Sequence, residues 1–168
     1  NIVDQMFIGN SKLSTLGNAA TGVVFPVFII AQAFAWCLGD GCAAYLNIFQ
    51  GKKDDKGAHK AIGGSITLAV ISGLLMMAVI YPIKVPMLTL FGATENTLSY
   101  AIEYLDVILA MIPIYILCNM MNSIIRADGS PAWAMTSMLL GAITNIILDP
   151  IFIFGLDMGM SGAAIATI

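Results

Sequence analysis

Residues 61–83 read AIGGSITLAVISGLLMMAVIYPI, 23 positions without one charged side chain. A helix needs about 20 consecutive apolar residues to cross a bilayer core, so this stretch alone reads as a membrane span. Gly17 to Gly39 and Val107 to Ile125 are likewise free of charge, as is Pro131 to Leu148, which Ile151 to Leu156 extends past Asp149. Shorter apolar segments flank these four, at residues 1 to about 9 and 161–168. We expect an all-α, polytopic transmembrane helical bundle. Its elements are a partial helix 1 over about 1–9, helices over about 17–50, 58–84, 97–126 and 131–156, and the start of helix 6 over about 161–168. With a shortened segment at each end, the 168 residues read as an internal fragment of a longer chain.

Composition agrees. Hydrophobic residues make up 59% of the chain and charged residues 10%, against about 25% charged in soluble domains. That is too little charge to coat a soluble core, and the mean hydropathy is +0.91. Seven basic residues and a net charge of −3 leave no basic face for nucleic acid. Cys37, Cys42 and Cys118 sit in apolar runs without metal-ligand spacing and read as packing residues. Asn1-Ile2-Val3-Asp4 lacks the basic start of a secretory signal. The chain shows no heptad or short repeat.

The connections are polar or rich in Gly and Pro: Asn10 to Leu16, Gly51 to Gly57, Lys84 to Asn96 with Pro86 and Gly92, Arg126 to Pro131, and Asp157 to Met160. Lys52, Lys53, Lys56, Lys60 and Arg126 fall on one side of the membrane, and Lys12 and Lys84 on the other. The positive-inside rule places the five-charge side, with loop 51–60 and the amino terminus, in the cytoplasm. Gly39, Gly41, Ala43, Ala44, Gly63, Gly64, Gly73 and Gly141 suit close helix packing, since lipid gives helices no hydrophobic reason to associate.

Charges inside spans are costly and tend to be functional. Asp4, Asp40, Asp106 and Asp149 fall within spans, and Glu103 lies nearer an end. Counting back from the outer helix ends at about 1.5 Å per residue puts Asp4 and Asp149 both roughly 8–9 Å deep. Thr167, on the inward-running sixth helix, reaches a similar depth, and Asn145 lies one turn from Asp149 on the same face. Asp4, Asn145, Asp149 and Thr167 are thus the candidate cation- or proton-binding layer. Two carboxylates close together in low dielectric are not both left ionised unless a cation offsets them. A sodium ion or a proton is the only small ligand implied, and no further metal or cofactor. Pro150 has no N–H and frees the carbonyl of Ile146, which predicts a bend beside Asp149.

The remaining polar residues have plainer readings. Asp40 snorkels to the cytoplasmic surface or pairs with a loop lysine, and Glu103 and Asp106 are solvated at a helix amino terminus. His59 is solvated among lysines, and Arg126 caps carbonyls or pairs with Asp128. The aromatics Phe25, Phe28, Phe34, Trp36, Phe152 and Phe154 and the 11 methionines read mainly as packing, with a drug cleft as the functional alternative.

Asn1-x-x-Asp4-x-x-Phe7-Ile8-Gly9, Arg126-x-x-Gly129-Ser130-Pro131 and Asn145-Ile146-Ile147-Leu148-Asp149-Pro150-Ile151-Phe152-Ile153-Phe154, followed by Gly162-Ala163-Ala164-x-Ala166-Thr167, resemble the multidrug and toxic compound extrusion (MATE) family in its prokaryotic members. The resemblance covers the whole chain. It implies two six-helix lobes, of which this is the amino-terminal one. It also implies export of cationic or aromatic drugs in exchange for protons or sodium, and a cation site at Asp4, Asn145, Asp149 and Thr167. The partners implied are small-molecule drugs or toxic organic cations, membrane lipid and the carboxy-terminal lobe absent from these residues. The location implied is the cytoplasmic membrane of a prokaryote. A lobe alone is not expected to complete a transport cycle. The alternatives are a lipid or polysaccharide flippase of related architecture, which would favour basic cavity residues, and an intramembrane aspartyl protease. For the latter, Leu38-Gly39-Asp40 lacks the preceding Gly of a Gly-x-Gly-Asp signature.

Overall fold

The computed structural model describes residues 2–10, 14–155 and 158–167, and the side chains of 2–4, 14 and 154 lie outside that description. The elements are α1 (Ile2–Asn10), α2 (Ser14–Gly51), α3 (Asp55–Leu90), α4 (Glu95–Ala127), α5 (Pro131–Pro150), a π-helical segment (Ile151–Gly155) and α6 (Gly159–Thr167). No strand occurs among the described residues. Helices α2 to α5 are each long and apolar enough to cross a membrane, and this is a multi-pass membrane protein.

Helix ends follow local chemistry. After α3, the Gly92 amide donates to the Thr89 carbonyl and the Ala93 amide to Leu88, with Gly92 at φ 99°. After α4, the Gly129 amide donates to Arg126 and the Ser130 amide to Ile125, with Gly129 at φ 81°. Both are Schellman closures, in which a left-handed residue turns the chain and satisfies the last carbonyls. Lys53, at φ 55°, fills the same role after α2, where glycine would be easier. Helix starts are capped in turn. The Asp54 Oδ1 accepts from the Gly57 amide at 3.0 Å, and the Thr97 hydroxyl oxygen accepts from the Thr94 amide at 2.9 Å.

Two boundaries differ from the sequence expectation. Helix α3 continues through Lys84 to Leu90, where a loop was expected on account of Pro86. Transmembrane helices tolerate proline where neighbours satisfy the freed carbonyl, and the break comes only at Gly92. At the other end of the chain, the α-helical part of α5 stops at Pro150 and the next five residues form a π turn.

The helices contribute to two compact units, Asn1–Phe28 with Ala78–Met111 and Leu140–Ile168, and Ile29–Met77 with Ile112–Leu139. The second unit is built on close approaches. A Cβ at Gly73 would stand 2.5 Å from Pro113 Cα, and one at Gly39 would stand 2.9 Å from Ser123 Cβ. Polar ties join its helices at Cys42 Sγ to the Ala61 carbonyl (3.8 Å), Gln50 to Asp128 (2.7 Å) and Asn122 to the Ala134 carbonyl (3.1 Å). In the first unit α1 touches α6, α6 touches the π segment, and Ile8, Leu105, Leu109 and Met160 are fully buried.

Gly73 therefore sets the α3–α4 contact. Gly73→Ala should lower the melting temperature of the full-length protein in detergent by several degrees, as overpacking of about 1–3 kcal/mol does. Gly63→Ala meets open space and should leave the melting temperature unchanged or slightly raised.

Candidate functional site

Helix α5 presents Asn145 and Asp149 one turn apart, and both are enclosed: Asn145 is 7% exposed and Asp149 0%. Among the described residues Asp149 is the one fully buried acidic side chain. The Asn145 Nδ2 donates to the Ala166 carbonyl at 3.0 Å, which ties α5 to the last turn of α6. Thr167 follows Ala166, is half-buried, and its hydroxyl donates to the Ala163 carbonyl at 2.8 Å. Three of the four predicted residues thus belong to one α5–α6 corner. The backbone of Asp4 lies in α1, which touches α6. The Asp4 side chain lies outside the described residues.

The backbone around Asp149 is unusual. Pro150 closes α5 and the chain continues in the π turn Ile151–Gly155. A π turn is rare and is often found at functional positions. Helix α6 packs closely against this turn because it starts with small residues. A Cβ at Gly162 would stand 3.1 Å from the Phe152 carbonyl carbon, and Ala163 and Ala164 are wholly buried. The Gly-Ala-Ala run brings α6 down onto the π turn, and Asn145 then reaches the α6 carbonyl. A rim of charge accompanies this corner. Glu103 accepts hydrogen bonds from the Ser161 hydroxyl and, at 3.3 Å, from the Ser161 amide at the start of α6.

Three acids that the sequence reading left in solvent or open alternatives find definite places. Asp106 is ion-paired with Lys84 through both carboxylate oxygens, at 2.5 and 2.7 Å, and the ammonium also lies 4.5 Å from the Tyr81 ring centre. It is not simply solvated, because the extension of α3 carries Lys84 alongside α4. Glu103 holds Ser161 as described. Asp40 is exposed. Arg126 donates to the Ser123 hydroxyl at 3.0 Å, while Asp128 accepts from Gln50. The Lys84–Asp106 pair had no distinct sequence signal, since Glu95 and Glu103 also fall between the two residues. Nothing local pointed to Glu103 and Ser161, which are 58 residues apart. No group of three or more His, Cys, Asp or Glu side chains suited to a metal occurs among the described residues.

Comparison with known proteins places the chain. A model of the MatE family matches residues 1–151. The multidrug export protein MepA of Staphylococcus haemolyticus is 32% identical over 167 residues, covering 99% of this chain and 36% of the relative. A structure of a multidrug resistance MATE family transporter of the MOP superfamily in an inward-facing conformation superposes with a TM-score of 0.94 at 35% identity, over 99% of this chain and 38% of that one. A structure described as the outward-facing conformation of such a transporter gives a TM-score of 0.91 at 35% identity, over 99% and 37%. The chain spans little more than a third of the length of these relatives.

If Asn145 fastens α6, Asn145→Ala in the full-length protein should speed amide hydrogen exchange across 159–167 about fivefold, the worth of one hydrogen bond near 1 kcal/mol. Exchange in α2 should not change. Unaltered protection of α6 would show that the Asn145–Ala166 bond does not hold it.

Proposed function

This chain belongs to the MatE family, whose members are membrane transporters rather than enzymes, and we propose that it supplies the ion-binding lobe of an antiporter exporting cationic or aromatic small molecules. The observation that carries the proposal is the enclosure of Asp149, 0% exposed and one turn from buried Asn145. Removing a carboxylate from water costs several kcal/mol unless something offsets its charge. A proton or a sodium ion is the offset that an antiporter has to hand. Asn145 and Thr167 supply neutral oxygens at the same corner, and Asp4 on α1 contributes the second carboxylate. Hard oxygen donors of this kind suit a proton or an alkali cation.

Coupling requires that the ion favour one packing over another, since a ligand shifts a conformational equilibrium only by its differential affinity. The π turn after Pro150 is the place for such a change, because Pro150 has no N–H to donate and the regular α-helix ends there. In this reading a proton or sodium ion neutralises Asp149, α5 and α6 adjust across the Asn145–Ala166 bond, and drug and ion occupy the protein in alternation. The orientation that fits has the Lys-rich loop 51–60 and the amino terminus on the cytoplasmic side of a prokaryotic cell membrane. The whole protein, with its second lobe, is the transporting unit.

Asp149→Asn keeps the shape and removes the charge. Introduced into the full-length protein in vesicles, it should reduce ion-gradient-driven drug efflux about 5- to 150-fold, the span of a typical coupling free energy. Drug binding measured in detergent should persist. Asp40→Asn, at an exposed position, should leave efflux intact. Undiminished ion-driven efflux by the Asp149 variant would overturn the assignment.

A further inference from the structure

A cleft of about 310 Å³ lies between α2 and α3, in the second unit. Its α2 wall is Cys42, Tyr45 and Phe49, spaced i, i+3, i+7 and therefore one helical stripe. Its α3 wall is Gly57, Ala61 and Ser65, spaced by four, with Lys60 beside them. The contact from Cys42 Sγ to the Ala61 carbonyl closes the floor. Gly57 leaves room for a ring: a Cβ there would stand 2.5 Å from Phe49 Cδ1. Tyr45 is 61% exposed at the mouth.

The polar groups on these walls are Lys60, Ser65 and Tyr45, and the Asp54 carboxylate stands beside Gly57 at the shallow end. The approach is positive on balance. Residues 52–60 contain four lysines and two aspartates, a net charge of +2 in a chain of −3. One of those aspartates, Asp54, is engaged in capping α3 at 3.0 Å. Lys60 and Ser65 follow the α3 start at Asp55 by five and ten residues, about 8 and 15 Å along the axis at ~1.5 Å per residue. The polar zone of a leaflet is roughly 5–7 Å deep. Lys60 therefore stands near the headgroup and ester level, and the apolar lower walls stand at acyl depth. An anion over Lys60 continued by a hydrocarbon chain against Ala61 and the deeper Tyr45–Cys42 part of the α2 wall matches both ends of the cleft. A free phosphate would use only the mouth.

We propose that this cleft seats an anionic glycerophospholipid, its phosphate on Lys60 and one acyl chain in the groove between the α2 and α3 stripes. The inference does not rest on the antiporter reading. Basic pockets between helices at a membrane surface recognise anionic headgroups in this way.

The test uses the full-length protein and native mass spectrometry with phosphatidylglycerol, phosphatidylcholine of the same chains, and glycerol 3-phosphate. Phosphatidylglycerol should be retained about fivefold over phosphatidylcholine, and Lys60→Gln should erase that preference while Lys52→Gln keeps it. Phosphatidylglycerol with a photoreactive acyl chain should label residues 42–49 and 57–65 of the unmodified protein, which needs no variant to fold. Equal retention of the two lipids, equal effects of the two lysine variants, displacement by glycerol 3-phosphate, or labelling confined to other segments would each overturn the proposal. The last outcome includes a cleft covered by the rest of the full-length chain.

Discussion

Hydrocarbon offers a peptide group no hydrogen bond, so within a bilayer each backbone N–H and C=O has to find its partner inside the protein. That constraint explains why long helices fill this chain and why their ends are so fully closed. At Lys53, Gly92 and Gly129 the last carbonyls of a helix are taken up by Schellman turns, even where a lysine has to adopt a positive φ. It also shapes how the helices meet. With no water to expel between them, they gain by close contact, and Gly73 against Pro113 and Gly39 against Ser123 supply that contact.

Within this setting an acid is tolerated only if something accounts for it. Asp106 has Lys84, Glu103 has Ser161, and Asp40 is exposed. Asp149 is fully enclosed beside Asn145 at the end of α5. The same few residues break the regularity of the backbone, since Pro150 and the π turn follow at once. The small residues of α6 then close the corner. Burial of an acidic group, a break in the regular α-helix and a hydrogen-bonded neighbour thus coincide at one place, which is the physical basis for the proposal of ion coupling there. Solvated acids at helix ends would not need any of these features.

Much of this was legible because membrane physics writes itself in composition. Charge-free runs near 20 residues mark the spans, and Gly or Pro clusters mark most turns. The Asn145 and Asp149 spacing also predicts a shared face, since a helix repeats at 3.6 residues. What could not be read was anything set by register between distant helices. Helix α3 runs on past Pro86 to Leu90, and Lys84 on it meets Asp106 of α4 through a register between helices that no local pattern sets. The Glu103–Ser161 contact and the Asn145–Ala166 bond join segments far apart in sequence, with no periodicity to announce them. Pro150 did signal a break, but a bend and a π turn are alternative responses to the same missing N–H.

The central claim, that the Asp149 carboxyl is a group on which the coupling ion acts, can be observed without transport. Infrared difference spectra of the full-length protein would be recorded as the proton or sodium concentration is stepped, in wild type and in Asp149→Asn. Carboxyl and carboxylate bands that interconvert in the wild type and vanish in the variant are the predicted result. The same bands, undiminished in Asp149→Asn, would contradict it.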